Sequence, residues 1–346
     1  MTTPGNDNNA AEIYTGEPCA SMQSIIDQLI QNNPDAIDPT QLPPEEGREV
    51  ALLATVMWNT NLPKMARIDP LLLTGAANNT LRARLYTPHE HQDGLIFFIH
   101  GGGFAFGDID SHDRLCRCLA VETGCSLLSV NYRLAPEHPF PAGLNDCIAI
   151  FRQLDNIHDE FPWTLGHTAI AGDSAGANLA LALMIHEQQA GRAVPDMGLL
   201  FYGVYGTDMN TRSYKEFANG PGLTRDKMSR FLDWYSPPEE RGNSLVSMNT
   251  ASDEVLATLP PLYLNAAEID PLCSDTQTLH ARLIALGRDD EFQLVAGVVH
   301  GFMQMTNKLD EACTATADAA RAYRAKSASI RNSLSTPLTS PQRISQ

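Results

Sequence analysis

Positive charge is scarce in this chain. Its 346 residues carry 24 Lys and Arg against 41 Asp and Glu, a net charge of −17, and no Lys or Arg precedes Arg48. Neither nucleic acid nor an anionic membrane surface is therefore expected as a partner. Acidity by itself names no partner, because it commonly serves solubility. Long apolar runs are missing too, so no membrane span is expected. The opening stretch, Met1-Thr2-Thr3-Pro4-Gly5-Asn6-Asp7, has neither the basic nor the apolar segment of a secretory signal. Cysteine is sparse and unpatterned. The seven (Cys19, Cys116, Cys118, Cys125, Cys147, Cys273, Cys313) are odd in number and scattered, which suits reduced thiols in a cytoplasmic protein better than a disulfide framework. Cys116 and Cys118 lie two apart on a predicted helix and so face away from each other, as core or surface residues rather than a redox pair.

What is present suffices for one large α/β domain or two small ones. Apolar residues at helical spacing predict helices over 22–30 and about 45–58, separated by Pro34, Pro39, Pro43 and Pro44. Strands are predicted near 68–74 and 80–86. The alternation Leu81-Arg82-Ala83-Arg84-Leu85 suggests a half-exposed edge strand. The continuous run Leu95-Ile96-Phe97-Phe98-Ile99 reads as a strand buried on both faces, as in the middle of a parallel sheet. Helices over about 112–122 and 142–156 then alternate with strands at 126–131 and 168–171. A helix over about 178–185 and a strand at 197–202 follow. Such alternation implies crossover connections and a mostly parallel sheet. It stops over about 206–259, which carries turn signals and one helix near 225–235. It resumes with strands at 262–266 and 291–295 and helices near 275–286 and 309–330. The expected organisation is N-terminal cap helices in 1–60, core in 61–205, a cap insertion in 206–259 and core again in 260–332. A Ser/Thr/Pro-rich tail over 333–346 is expected to be disordered, like the polar first twenty residues or so.

Four features carry chemistry. Gly172-Asp173-Ser174-Ala175-Gly176 stands between the apolar strand and an apolar helix. This is the G-x-S-x-G pattern of a nucleophile elbow, in which small neighbours let a serine ride a sharp strand-to-helix turn. On its own the pentapeptide also reads as a plain Gly/Ser turn. His100-Gly101-Gly102-Gly103-Phe104 ends the buried strand. Its glycines leave backbone N–H groups free to point into a site, so Gly101 and Gly102, with Ala175 after the serine, are the expected oxyanion donors. His100 is expected to brace the loop. The other two features are Asp270, in Glu268-Ile269-Asp270-Pro271, and His300, in Val299-His300-Gly301-Phe302, each just past a predicted strand end. That is the edge where sites assemble in an open parallel sheet. Their order, Ser then Asp then His, is that of α/β-hydrolases. Glu268 and Asp275 are rival acids. Phosphate binding is excluded because Asp108-Ile109 stands where a P-loop needs Lys-Ser/Thr, and the G-x-G-x-x-G register from Gly101 ends on Phe106. The acids Asp108, Asp110 and Asp113 miss the glycine and glutamate of a calcium loop.

These pieces, with Asn131-Tyr132-Arg133-Leu134-Ala135-Pro136-Glu137-His138-Pro139, resemble the hormone-sensitive-lipase-like esterases (bacterial family IV) of the α/β-hydrolase superfamily. Within that family, Gly107-Asp108-Ile109-Asp110-Ser111-His112-Asp113-Arg114 is most similar to bacterial acetyl esterases. The resemblance implies an eight-stranded, mostly parallel core with a helical cap. It also implies a Ser174–His300–Asp270 triad acting on short-chain acyl esters as small-molecule substrates, with no cofactor and no metal. Amide or carbamate hydrolysis by the same triad, and a binding protein on a hydrolase scaffold, stay open as alternatives. So does homodimerisation.

Overall fold

The computed structural model describes residues 16–90, 94–161, 163 and 166–335. The first residues, expected to fray, fall outside these apart from 16–20. Of the expected tail, 333–335 continue the last helix and the rest lies outside the described residues.

The chain runs α1 (Ala20–Asn32), α2 (Pro44–Thr55), β1 (Arg67–Thr74), β2 (Thr80–Thr87), β3 (Leu95–Ile99), α3 (Asp113–Thr123), β4 (Ser126–Val130), α4 (Ala142–Phe151) and α5 (Leu154–Glu160). It continues through β5 (Thr168–Asp173), α6 (Ala175–Gln189), β6 (Met197–Phe201), α7 (Arg212–Glu216), α8 (Arg225–Tyr235), α9 (Asp253–Thr258), β7 (Leu262–Ile269), α10 (Cys273–Ala285), β8 (Glu291–Val299) and α11 (Asp310–Ser335). The eight strands form one sheet in the order β1-β2-β4-β3-β5-β6-β7-β8. β2 is antiparallel to both β1 and β4. From β4 to β8 every pairing is parallel. The expected eight-stranded, mostly parallel α/β-hydrolase core is therefore observed.

Alternation along β3 shows how a continuous apolar run serves two cores. Leu95, Phe97 and Ile99 enter the cluster shared with α4, α6 and α10. Ile96 and Phe98 enter the one shared with α1, α3 and α11. Both faces are covered, so both sets of side chains must be apolar. α6 is buried along almost its whole length and is correspondingly apolar all round. No helix among the described residues is long and apolar enough to cross a membrane.

Three local expectations change. β2 is not at the edge, because β1 pairs along its full length. Its alternation reports that one face of the sheet is wet there, not that one side lacks a neighbour. The helix expected over 142–156 is two, α4 and α5, with Arg152 at the break bonding Glu187 on α6 through Nε at 2.8 Å. The two N-terminal helices also part company. α1 docks on the sheet's far end, where Cys19 donates to the Gly297 carbonyl at 2.9 Å and Met22 and Ile25 enter the core beside α11. A 3₁₀ turn (Pro39–Gln41) instead lies by α8, where Arg230 reaches Asp38 at 3.1 Å and Thr40 at 3.0 Å, and Arg48 of α2 bonds the Ala105 and Ala135 carbonyls, each at 2.9 Å.

Candidate active site

β5 ends in Asp173 and α6 begins at Ala175, so Ser174 alone makes the turn, with φ 54° and ψ −119°. A non-glycine residue held at positive φ is strained, and the surroundings must enforce it. Close packing does so: a Cβ on Gly176 would stand 2.0 Å from the Ile99 carbonyl oxygen, and one on Gly172 2.5 Å from the Gly176 backbone. The Ser174 N–H donates to the Phe201 carbonyl at 2.9 Å, fixing the turn to the next strand.

His300 follows β8 and Asp270 follows β7, so both side chains emerge at the same sheet edge as Ser174. His300 Nε2 lies 2.9 Å from Ser174 Oγ, and its Nδ1 lies 2.6 Å from Asp270 Oδ2. Asp270 is fully buried, and its other oxygen accepts the Leu272 N–H at 2.9 Å. The edge of the Tyr202 ring packs on the imidazole at 4.9 Å. The rival acids are occupied elsewhere. Glu268 accepts the Gly297 N–H at 2.7 Å. Asp275 accepts the N–H groups of Tyr205 and Gly206 through Oδ2 at 3.2 and 3.0 Å. Burial pushes the Asp275 carboxyl up to about 7 against these two donors, with the Asp270 charge adding to the rise.

The glycine loop requires one correction. The Gly101 N–H, expected to face a developing oxyanion, donates to Asp173 Oδ1 at 2.8 Å and is committed. Gly101 instead anchors the loop to the elbow strand. The N–H groups of Gly102, Gly103 and Ala175 have no acceptor among the described residues. Gly102 and Gly103 hold φ of 118° and 60°, and a Cβ on Gly102 would press within 2.2 Å of the Phe106 carbonyl oxygen. His100 braces the loop as expected. Its Nδ1 donates to the Gly101 carbonyl at 2.9 Å and its ring stacks on Tyr132 at 4.4 Å. Burial, with the neighbouring His112, lowers its pKa to about 4, so the ring is neutral.

A cavity of about 160 Å³ opens over Ser174. Gly102, Gly103, His300, Gly301 and Gln304 form its floor and side, and Leu223, Met228 and Phe231 close it from the insertion. Phe231 lies so near the loop that a Cβ on Gly103 would fall 2.3 Å from its ring. These three apolar residues and Gln304 escaped sequence reasoning. Nothing in the local pattern of α8 distinguishes a helix that covers a site from one that covers core.

A family model described as the alpha/beta hydrolase fold matches residues 96–304, which hold every residue of this cluster. The chain belongs to the α/β-hydrolase family. Among curated relatives of this hydrolase are acetyl esterases of Salmonella schwarzengrund and Salmonella typhi, each 30% identical over 82% of this chain and 87% of theirs. Solved structures agree. An ester hydrolase from the metagenome of Lake Arreo, complexed with a bipyridine phosphonate derivative, superposes with a TM-score of 0.83 at 29% identity, covering 89% of this chain and 98% of its own. A thermostable esterase from Pseudomonas putida ECU1011 gives 0.83 at 25% identity, covering 90% and 98%. The hyperthermophilic esterase of Pyrobaculum calidifontis gives 0.81 at 29%, covering 89% and 98%. The resemblance to acetyl esterases holds, and the hydrolase is a carboxylic ester hydrolase.

Proposed function

We propose that the enzyme hydrolyses short-chain acyl esters, acetyl to butyryl in size, through an acyl-enzyme on Ser174. A neutral serine hydroxyl is a weak nucleophile and needs a base within hydrogen-bond reach. The carrying observation is the single imidazole between Ser174 Oγ, at 2.9 Å, and Asp270, at 2.6 Å. In the first half-reaction Oγ attacks the ester carbonyl as its proton passes to His300 Nε2. The C–O bond to the alcohol then breaks, and the same proton leaves on the alcohol. Water, deprotonated by His300, next attacks the acyl-serine and releases the acid. Asp270 holds the Nδ1 tautomer and steadies the imidazolium. The O⁻ of each tetrahedral intermediate is assigned to the N–H groups of Gly102, Gly103 and Ala175.

The size limit rests on the cavity of about 160 Å³ closed by Leu223, Met228 and Phe231. Space on that scale takes an acyl group of a few carbons. We assign the cap to the 3₁₀ turn at 39–41, α2 and α8, with Arg230 of α8 joined to Asp38 and Thr40 at the turn. A p-nitrophenyl ester series tests both points. Acetyl and butyryl esters are expected to turn over and octanoyl to be slow, with Ser174→Ala inactive on all. Equal rates across the series would remove the size limit. Turnover by Ser174→Ala would remove the mechanism.

A further inference from the structure

Beneath the elbow lies a second acid–imidazole pair that the triad does not use. His112, at the start of α3, places Nε2 3.2 Å from Asp173 Oδ1, and both side chains are almost wholly buried. Asp173 is the residue before the nucleophile, and Oδ1 is the same atom that holds the Gly101 N–H. Its Oδ2 takes the Tyr202 hydroxyl at 3.4 Å.

The protonation of His112 follows from its partners. Ser111 Oγ gives its one proton to the Asp108 carbonyl at 2.7 Å and accepts the Asp108 N–H at 2.8 Å. With that proton on the Asp108 carbonyl, the His112 Nδ1 that lies 2.8 Å from the same oxygen is the donor. Nε2 faces a carboxylate and must carry a proton as well. With both nitrogens donating, the ring paired with Asp173 carries a positive charge, and we assign it that form. Although burial opposes it, the Asp173 charge and hydrogen bond raise the His112 pKa, and His112 in turn lowers that of Asp173. Gln304, which lines the cavity, places its amide nitrogen 2.9 Å from the same Nε2, and a protonated Nε2 requires that amide to be turned end for end. The two ends of an amide are assigned from their partners, and its oxygen is the end that suits an imidazolium N–H.

We infer that His112 is a positioning residue for ester hydrolysis: it neutralises the Asp173 carboxylate that pins the oxyanion loop through Gly101. A carboxylate is an effective tether for a backbone N–H. It is also a poor neighbour for an oxyanion forming one residue away, because a buried negative charge repels the charge developing in the transition state. The imidazolium keeps the tether and cancels the repulsion. His112 does not line the cavity over Ser174, and the Asp173 side chain beside it is almost wholly buried.

Resting on the acyl-transfer reading of Ser174, the inference is tested with His112→Asn, Asp173→Asn and the double variant. Asn at 112 keeps an N–H donor and loses the charge. The kcat of His112→Asn is expected to fall about 100-fold, the scale of a lost oxyanion donor. KM should stay within about 2-fold, because only the transition state carries the new charge. Asp173→Asn should lose less than about 10-fold, and the double variant should recover most of the His112→Asn loss, because no isolated carboxylate remains. Affinity for a trifluoromethyl ketone, which forms a tetrahedral oxyanion on the serine, should track kcat across the set. A double variant as slow as His112→Asn, or a ketone affinity that does not move with kcat, overturns the inference. Should His112→Asn fail to fold, Asp173→Asn and the double variant still decide it, since a double variant slower than Asp173→Asn by about 10-fold or more also overturns it. Labelling of wild-type Ser174 by an organophosphonate separates the two levels. Labelled wild type with no rescue sinks the His112 role alone, whereas unlabelled wild type sinks the acyl-transfer reading and the inference with it.

Discussion

Asp270–His300 and Asp173–His112 are both carboxylate–imidazole pairs at the elbow, and they differ in where the second ring nitrogen goes. In the first, Nε2 meets the Ser174 hydroxyl, a group that can surrender its proton. The ring stands on a loop at the cavity wall, and its tautomer can change during turnover. In the second, Nδ1 meets the Ser111 hydroxyl, which is already engaged with the Asp108 carbonyl, and Nε2 meets Asp173 and the Gln304 amide. We assign that ring as the charged partner of Asp173. On the proposed mechanism, identical side chains take opposite tasks, mobile proton carrier and fixed charge. The difference lies in their partners and their exposure.

The largest effect expected from breaking this comparison is on rate. Asp270→Asn should lower kcat by about 10⁴-fold, the scale seen when a triad aspartate loses its charge and the imidazole takes the wrong tautomer. Steady-state kinetics that place Asp270→Asn and Asp173→Asn within about 3-fold of each other would erase the distinction between the pairs. Stability should rank them the other way. Removing one partner of a buried ion pair strands a charge, so His112→Ala should cost about 3–5 kcal/mol in urea unfolding. His300→Ala also removes a partner of buried Asp270, but at the cavity wall and with the Leu272 N–H bond kept, so it should cost less, about 1–2 kcal/mol. Comparable losses would mean that the buried pair is no more structural than the triad.

A smaller effect concerns the cavity that both pairs border. Phe231→Ala should raise the hexanoyl-to-acetyl ratio of kcat/KM by about 10-fold, since about two methylenes gain room. An unchanged ratio would move the size limit to Leu223 or Met228. The smallest concerns Asp275, next to the triad aspartate. Its folded pKa of about 7 exceeds its ordinary 3.8, so between these values the folded state holds a proton that the unfolded chain has released. Stability from this group is therefore full at low pH, falls as pH rises towards about 7 and is level above it. Melting temperatures at about pH 5 and about pH 8 should fall less in Asp275→Asn than in wild type. An identical fall in both would place the carboxyl in an ordinary environment.

Much of the fold was legible because each strand-to-helix unit repeats one pattern, a short apolar run and then a helical period. The exceptions share a cause. β2 looked like an edge strand because alternation records a wet face and is silent on pairing. α1 and α2 read as one unit because both precede the first strand. The surface that receives the α1 stripe, β8 with α11, lies far along the chain, whereas the α2 stripe stays largely exposed, with Val50, Leu53 and Val56 facing outward. The candidate site was legible where the chemistry constrains short stretches. The elbow needs small residues on both sides of Ser174, and Asp270 and His300 stand just past strand ends. Gly101 was misassigned because its sequence context matches that of Gly102. Only the Asp173 side chain, on a different strand, tells them apart.

Sequence alone determined the parts of the proposed reaction: a serine on a tight turn, a glycine loop, an acid and a histidine in hydrolase order. Those demands are local, a matter of which residues a backbone turn tolerates and which side chains can carry a proton. Tertiary structure decided which N–H groups remained free, which of two histidines is charged and fixed, and how much room lies over Ser174. Each of these depends on neighbours contributed by distant segments. A proton's position and a cavity's depth are set by what surrounds a residue, and the surroundings exist only once the sheet has closed.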